Sequence, residues 1–373
     1  MLQALFFACD FIYSFYPADA DKAPDDGVLW SASNKTDHGD RRMNPVTAHP
    51  ARNIMVLYTG GTIGMQASAH GLTPASGFEQ RMREQLTGLA LPHWQFRELL
   101  PLIDSANMTP QYWQRLREAV IDAVDSQGCD AVLVLHGTDT LAYSAAAMSF
   151  QLLGLPAPLL FTGSMLPAGA PDSDAEENIV GALQALAAGQ VSGVQLYFHG
   201  ELLTPTRCAK VRSYGRHPFA TLKRFGGAAK AASLPAELDY RHAKQTAQVA
   251  VLPLVPGFAA QPLLAVLDSG VQAVILECFG SGTGPCDDVE FLASLKLAQT
   301  RGIVVVAITQ CHEGGVDLNV YEAGSRLREV GVVSGGGMTR EAAFGKLQAL
   351  LGAGLPVDEV RRLVELDVCG ELR

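Results

Sequence analysis

Charge is scarce in this chain of 373 residues: only 18% are Asp, Glu, Lys or Arg, and acidic side chains outnumber basic ones by 38 to 28. The net charge of −10 leaves no basic footprint, which excludes a general binder of nucleic acid or of anionic membranes. No apolar run reaches the ~18–20 residues of a membrane span. The cysteines (Cys9, Cys129, Cys208, Cys278, Cys286, Cys311 and Cys369) are odd in number and form no C-x-x-C pair. A disulfide framework is therefore not expected; reduced, mostly buried thiols in a cytosolic protein are. Several catalytic signatures are missing too: there is no G-x-S-x-G elbow, no G-x-x-x-x-G-K-[ST] and no G-x-G-x-x-G. His312-Glu313 opens like the zinc motif H-E-x-x-H, but Val316 stands where the second His is required, and no other cluster has metal-ligand spacing. No metal is expected.

What is present is apolar residue and glycine. Hydrophobic residues make up 48% of the chain, enough for a large buried core and against wholesale disorder. At roughly 150 residues per domain, the length suggests two domains or three. The 37 glycines imply many tight turns between short elements.

The first fifty residues stand apart. Met1 to Tyr16 is apolar and Ala18-Asp19-Ala20 resembles a signal-peptidase site, yet no Lys or Arg precedes Lys22 and Asp10 interrupts the apolar stretch. That is a poor match to a signal peptide. Residues 17–50 are polar and aperiodic, and the folded part is expected to begin near Asn53. Residues 1–42 are expected to be dispensable, with Met43 as the true start.

Seven short β-branched runs read as buried strands: Ile54–Tyr58, Ala131–Leu135, Leu159–Phe161, Val194–Phe198, Val249–Leu254, Val271–Leu276 and Ile303–Ile308. Continuous apolar runs without alternation suit parallel strands covered on both faces. Helical patterns fall between them. Trp113, Leu116, Val120 and Val124 follow Thr109-Pro110, an N-cap with proline at the first helical position. Leu141–Leu153, Ala175–Ala188, Val289–Thr300 and Arg340–Leu351 are further helices. The alternation predicts an α/β fold of two domains: a larger N-terminal, doubly wound, mostly parallel sheet and a smaller C-terminal α/β domain. The expected division is an N-terminal domain over 51–230, a linker over 231–247 around the weak pattern after Gly226-Gly227, and a C-terminal domain over 248–373.

Ligands of open parallel sheets collect at the carboxyl ends of the strands. The first strand runs into Thr59-Gly60-Gly61-Thr62-Ile63-Gly64, where paired glycines make either an ordinary turn or a close backbone approach that presents Thr62. The next ends in His136-Gly137-Thr138-Asp139-Thr140, whose hydroxyl and carboxylate either cap the following helix or bind a polar ligand. His136 reads as a structural histidine. Lys210, three residues after Arg207, is either a solvated charge or, in a desolvated pocket beside a hydroxyl, a base.

Two segments, Tyr58-Thr59-Gly60-Gly61-Thr62-Ile63-Gly64-Met65 and Leu135-His136-Gly137-Thr138-Asp139-Thr140-Leu141-Ala142-Tyr143, resemble the paired signatures of bacterial L-asparaginases, closest to the cytoplasmic type I branch. Pro101 to Pro110 resembles that family's substrate-carboxylate loop, and Phe161-Thr162-Gly163-Ser164 and Thr309-Gln310-Cys311 also fit. The resemblance covers roughly residues 52–373. It implies that Thr62 is the nucleophile, that Thr138, Asp139 and Lys210 act beside it, and that Asp139 also holds the substrate ammonium. It implies that Ser105 binds the α-carboxylate, with Gly61 and Gly137 lining the site. Activity would be hydrolysis of L-asparagine through a threonine acyl-enzyme, without cofactor. The assembly would be a cytoplasmic homodimer or homotetramer, with sites shared between subunits. A second asparagine site near Thr309-Gln310-Cys311 stays open.

The chain departs from the family at three places. Leu72 stands where the mobile lid, Gln66 to Pro74, carries an activating tyrosine, and His70 is the titratable group nearby. Ala106 replaces a polar residue common in the periplasmic branch, and Thr283 stands where an asparagine reaching into a neighbouring site is expected. Rival expectations are a glutaminase-asparaginase of broader specificity and the archaeal amidotransferase subunit. The latter is disfavoured because it would need a further N-terminal domain and a tRNA-linked partner. A non-catalytic asparagine sensor is the third.

Overall fold

The computed structural model describes residues 50–372 apart from 69, 70, 74, 76, 226–228 and 232. The expectations for residues 1–42, Met43, Cys9, His70 and Gly226-Gly227 lie outside the described residues.

The chain runs β1 (Asn53–Gly60), a hairpin of β2 (Gln66–Ser68) and β3 (Gly71–Thr73), α1 (Phe78–Gln85), β4 (His93–Ile103), α2 (Pro110–Ile121), β5 (Ala131–Leu135) and α3 (Leu141–Gln151). It continues with β6 (Leu159–Thr162), α4 (Ala175–Ala187), β7 (Val194–Phe198), β8 (Glu201–Leu203), β9 (Cys208–Lys210) and β10 (Phe219–Thr221). The C-terminal part holds β11 (Val249–Pro253), α5 (Ala260–Asp268), β12 (Ala273–Cys278), α6 (Val289–Thr300), β13 (Val304–Thr309), α7 (Glu322–Glu329), β14 (Val332–Ser334), α8 (Arg340–Gly352) and α9 (Val357–Val364).

Two sheets organise these elements. The first has the order β4-β1-β5-β6-β7-β8 and is parallel except for the β7–β8 pair. The second, β11-β12-β13-β14, is parallel throughout. Both are covered on two faces, which is why their strands are apolar without alternation. In β1, Met55 and Leu57 pack with Trp113, Leu116 and Val120 of α2 and Ala145 and Met148 of α3. Ile54, Val56 and Tyr58 point the other way, onto Phe78 and Met82 of α1 and Ile179, Leu183 and Leu186 of α4. The second sheet repeats the plan: Val274 and Leu276 meet α5 and α6, while Ile275 meets α8 and α9. Each fully buried Leu, Ile or Val contributes roughly 1.5–3 kcal/mol relative to exposure.

The seven expected strands and five expected helices are all present, several with the expected ends and the rest displaced by no more than three residues. The Thr109 hydroxyl accepts from Tyr112 N at 3.2 Å, so the expected N-cap of α2 is formed. Strand β4, the short strands β2, β3, β8–β10 and β14, and helices α1, α5, α7 and α9 are additions. Among the described residues no helix is long and apolar enough to cross a membrane. The six described cysteines are all unpaired, and burial pushes the Cys208 and Cys278 thiols up to about 12.

Residues 233–247 carry one 3-10 turn, Ala236–Leu238, yet they are firmly tied. Arg117 of α2 donates to the carbonyls of Tyr240 and His242. Buried Lys244 donates to the carbonyls of Glu237, Asp239 and His242. Burial, reinforced by the neighbouring Arg117 cation, lowers its pKa to about 8.

Candidate active site

The site forms where the tips of β1, β4 and β5 converge. Gly60 and Gly61 have φ of 106° and 84°, a region that L side chains avoid. Space is short as well: a Cβ on Gly60 would overlap the Ile103 carbonyl, and one on Gly61 would overlap the Gly137 backbone. The sharp turn lets Gly61 N donate to Ile103 O at 3.1 Å and opens a 3-10 turn over Thr62–Gly64. Thr62, half-buried, is the first residue of that turn. Beneath it lies Tyr58, fully buried against Gly64, its phenol raised by burial. Arg81 of α1 donates to Gly64 O at 3.1 Å and holds the turn from outside.

The second tip is pressed against the first. A Cβ on Gly137 would lie 3.1 Å from Gly61 Cα, and 2.5 and 2.7 Å from Ser105 Oγ and Cβ. Ser105, 3% exposed, therefore sits on Gly137 with its hydroxyl toward the junction. Its own 3-10 turn, Ser105–Asn107, is capped by Asp104, whose side chain accepts from Ala106 N at 3.1 Å. Thr59 Oγ1 donates across to Leu135 O at 3.1 Å, and the Tyr112 phenol donates to Leu99 O at 2.6 Å. These bonds lock the three tips together.

Lys210 reaches this junction from β9. Its Nζ donates to Thr138 Oγ1 at 2.9 Å and to Asp139 Oδ1 at 2.7 Å. Thr138 is 5% exposed, while the Asp139 side chain is 61% exposed. The group thus grades from a buried hydroxyl, through a lysine, to an open carboxylate. Of the two roles open to the Thr138–Asp139 pair, helix capping is not the one their side chains perform, and no side chain caps α3. His136 is fully buried, and its Nδ1 lies 2.7 Å from Gly137 O. Burial lowers its pKa to about 4, although the bond to Gly137 opposes the shift. Such a histidine is neutral at physiological pH and is a structural group.

All seven sequence-derived residues, Gly61, Thr62, Ser105, Gly137, Thr138, Asp139 and Lys210, lie on these three converging tips and β9. Leu72 lies on β3 opposite Ala67, 39% exposed. Thr283 turns its hydroxyl back onto Phe279 O at 3.3 Å. Gln310 Nε2 bridges Leu254 O and Glu277 O, each at 2.7 Å, and closes the carboxyl edge of the second sheet. Among the described residues no three His, Cys, Asp or Glu side chains gather as a metal site. Sequence reasoning missed Tyr112, Arg81 and Thr140. Tyr112 and Arg81 act through main-chain carbonyls, which have no sequence signal; Thr140 lies inside the second signature without an evident task.

The fold and the site define a two-domain α/β protein whose threonine, lysine and carboxylate groups meet at the carboxyl edge of a parallel sheet. The chain belongs to the asparaginase family. The family model described as Asparaginase, N-terminal matches residues 53–239, and that described as Glutaminase/Asparaginase C-terminal domain matches residues 248–364. L-asparaginase 1 of Escherichia coli (strain K12) is 35% identical over 335 residues, covering 86% of this chain and 98% of that protein. Two solved structures are similar at TM-score 0.73, each covering 86% of this chain and 99% of the other: the thermostable L-asparaginase from Thermococcus kodakarensis, 31% identical, and L-asparaginase I from Vibrio cholerae, 32% identical.

Proposed function

We propose that this protein hydrolyses L-asparagine to L-aspartate and ammonia through an acyl-enzyme on Thr62. The observation that carries the proposal is the Thr138–Lys210–Asp139 chain set against Gly61–Thr62 by the Gly61–Gly137 contact. The Thr62 hydroxyl attacks the side-chain amide carbon, the C–N bond breaks, and the hydroxyl proton passes to the nitrogen, which leaves as ammonia. Water, deprotonated through Thr138 and Lys210 along their 2.9 Å bond, then releases aspartate. The main-chain N–H groups of the two glycine turns stabilise the oxyanion. Asp139, open to solvent, takes the substrate ammonium and Ser105 its α-carboxylate. The protein is cytoplasmic, works as a homodimer or homotetramer and uses no cofactor. Its domains are 51–230 and 248–373, joined by 231–247, with 1–50 an extension.

The test is ammonia release from asparagine and from glutamine, with Thr62→Ala as control. Asparagine turnover lost in Thr62→Ala is the expected result; full activity in Thr62→Ala and Thr138→Val would refute the site. Leu72, where the lid lacks a phenol, favours a second reading as a weakly catalytic asparagine sensor, which predicts binding without turnover. Comparable release from glutamine would mark a broader glutaminase-asparaginase.

A further inference from the structure

Thr140 occupies the residue before α3, where a threonine ordinarily accepts a hydrogen bond from an N–H two or three residues on. It makes no such bond. Its hydroxyl instead donates sideways, at 2.8 Å, to the main-chain carbonyl of Ser105. The two residues are 35 positions apart and belong to different strand tips.

We propose that Thr140 is a positioning residue that fixes the Ser105 hydroxyl for the substrate carboxylate. The inference rests on the asparaginase reading of the site. Ser105 is held from two sides: its side chain rests on Gly137, and its carbonyl is tethered by Thr140. The turn's own bonds, Met108 N to Ser105 O at 3.0 Å and Ala106 N to the Asp104 carboxylate at 3.1 Å, shape the loop without fixing it to the second signature. The Thr140 bond does fix it. The helix therefore forgoes a cap and gains a rigid link between two substrate-binding segments. Asp139, adjacent in sequence, stays oriented by Lys210 independently of this link.

The α-carboxylate lies away from the reacting amide and is bound alike in ground and transition states. Loosening its donor therefore raises KM and leaves kcat nearly unchanged. In the full-length protein, Thr140→Val keeps the shape and removes the donor, while Thr140→Ser keeps the donor. The probes are asparagine turnover, inhibition by L-aspartate, and inhibition by 3-aminopropanamide, which lacks the carboxylate. The expected result for Thr140→Val is a rise of about tenfold in KM and in the aspartate inhibition constant, with kcat within about twofold. The 3-aminopropanamide constant stays unchanged, and Thr140→Ser restores the wild-type values.

Aspartate and 3-aminopropanamide weakened equally would mean general damage and would overturn the proposal, as would a Thr140→Val protein with wild-type KM. If Thr140→Val does not fold, Thr140→Ala carries the same comparison. A wild-type protein that hydrolyses asparagine while these variants match it refutes Thr140 alone. A wild-type protein that neither hydrolyses asparagine nor binds aspartate refutes the underlying reading.

Discussion

The contact between Gly137 and Ser105 can be tested by adding a single methyl group. The φ of Gly137 is not in the left-handed region, so alanine suits its backbone and the effect of Gly137→Ala is steric. The new Cβ would sit 2.5 Å from Ser105 Oγ, which can rotate away, and 2.7 Å from Ser105 Cβ, which cannot. Carbon atoms are comfortable at about 3.5–4.0 Å, so the two tips must separate by roughly 1 Å. Overpacking of this size costs about 1–3 kcal/mol of stability. The kinetic effect is larger in proportion, because a misplacement of about 1 Å can cost about 10²-fold in rate. The expected outcome is a kcat/KM for asparagine reduced about 100-fold, read by ammonia release, with an unfolding free energy from urea titration lowered by about 1–3 kcal/mol. Gly137→Ala combined with Ser105→Gly removes both short contacts and should recover most of the stability. Wild-type kcat/KM together with a wild-type midpoint in Gly137→Ala would refute the contact geometry.

Removing the amine in Lys210→Met leaves Thr138 and Asp139 in place and should lower kcat by about 10²–10⁴-fold with a smaller change in KM, measured by steady-state ammonia release. Acidification should destabilise the protein through His136: an unfolded histidine takes up a proton near pH 6.5, whereas the folded one does so only near about 4. The unfolded state binds more protons between those values, so stability falls as pH drops, by about 2 kcal/mol between pH 7 and pH 5. Urea melts at the two pH values check it, and the drop should shrink in His136→Asn. Lys346 and Glu371 form a 2.7 Å ion pair with both side chains fully buried. Lys346→Met leaves a buried carboxylate alone and should cost about 3–5 kcal/mol, whereas Lys346→Met with Glu371→Leu should recover much of it, as denaturant titration would show. Gly345→Ala should lower the unfolding free energy by about 1–3 kcal/mol in a urea titration, because its Cβ would fall 2.9 Å from the Ala147 backbone.

The central strands could be read from sequence because burial on both faces leaves an uninterrupted apolar run, as in Ala131–Leu135. Strand β4 could not, because it lies at the edge of its sheet and most of its residues, from Trp94 to Leu99, are only partly buried. Its charged and polar residues, Gln95, Arg97 and Glu98, break the apolar run. Helices α7 and α9 are each only eight residues long, and α7 carries Arg326 and Arg328 around a single buried leucine, so each offers little more than two turns of pattern. The candidate site was readable because five of its seven residues cluster in two signatures that the family shares, while Ser105 and Lys210 stand in separate segments. What holds it was not: the Arg81, Tyr112 and Thr140 donors all end on carbonyl oxygens, and every residue has one of those.

The C-terminal domain does more than close the chain. Helix α3 starts immediately after Thr138 and Asp139, and its far side is covered by α8 of the second domain. Phe344 of α8 inserts edge-on between Trp113, with centroids 5.9 Å apart, and Tyr143, at 6.3 Å. Gly345 brings the two helix backbones together at Ala147. Tyr143 lies four residues beyond Asp139, on the first turn of α3. A shift of α8 is therefore felt within one helical turn of the Lys210 partners. Helix α8 is in turn pinned from its other side by the buried Lys346–Glu371 pair, and Lys346 also donates to Val364 O at 2.9 Å. The path from the chain's last residues to the threonine–lysine pair thus runs through rigid, fully packed contacts. The second domain packs against helix α3, which begins two residues after Asp139, even though none of the seven proposed site residues belongs to that domain.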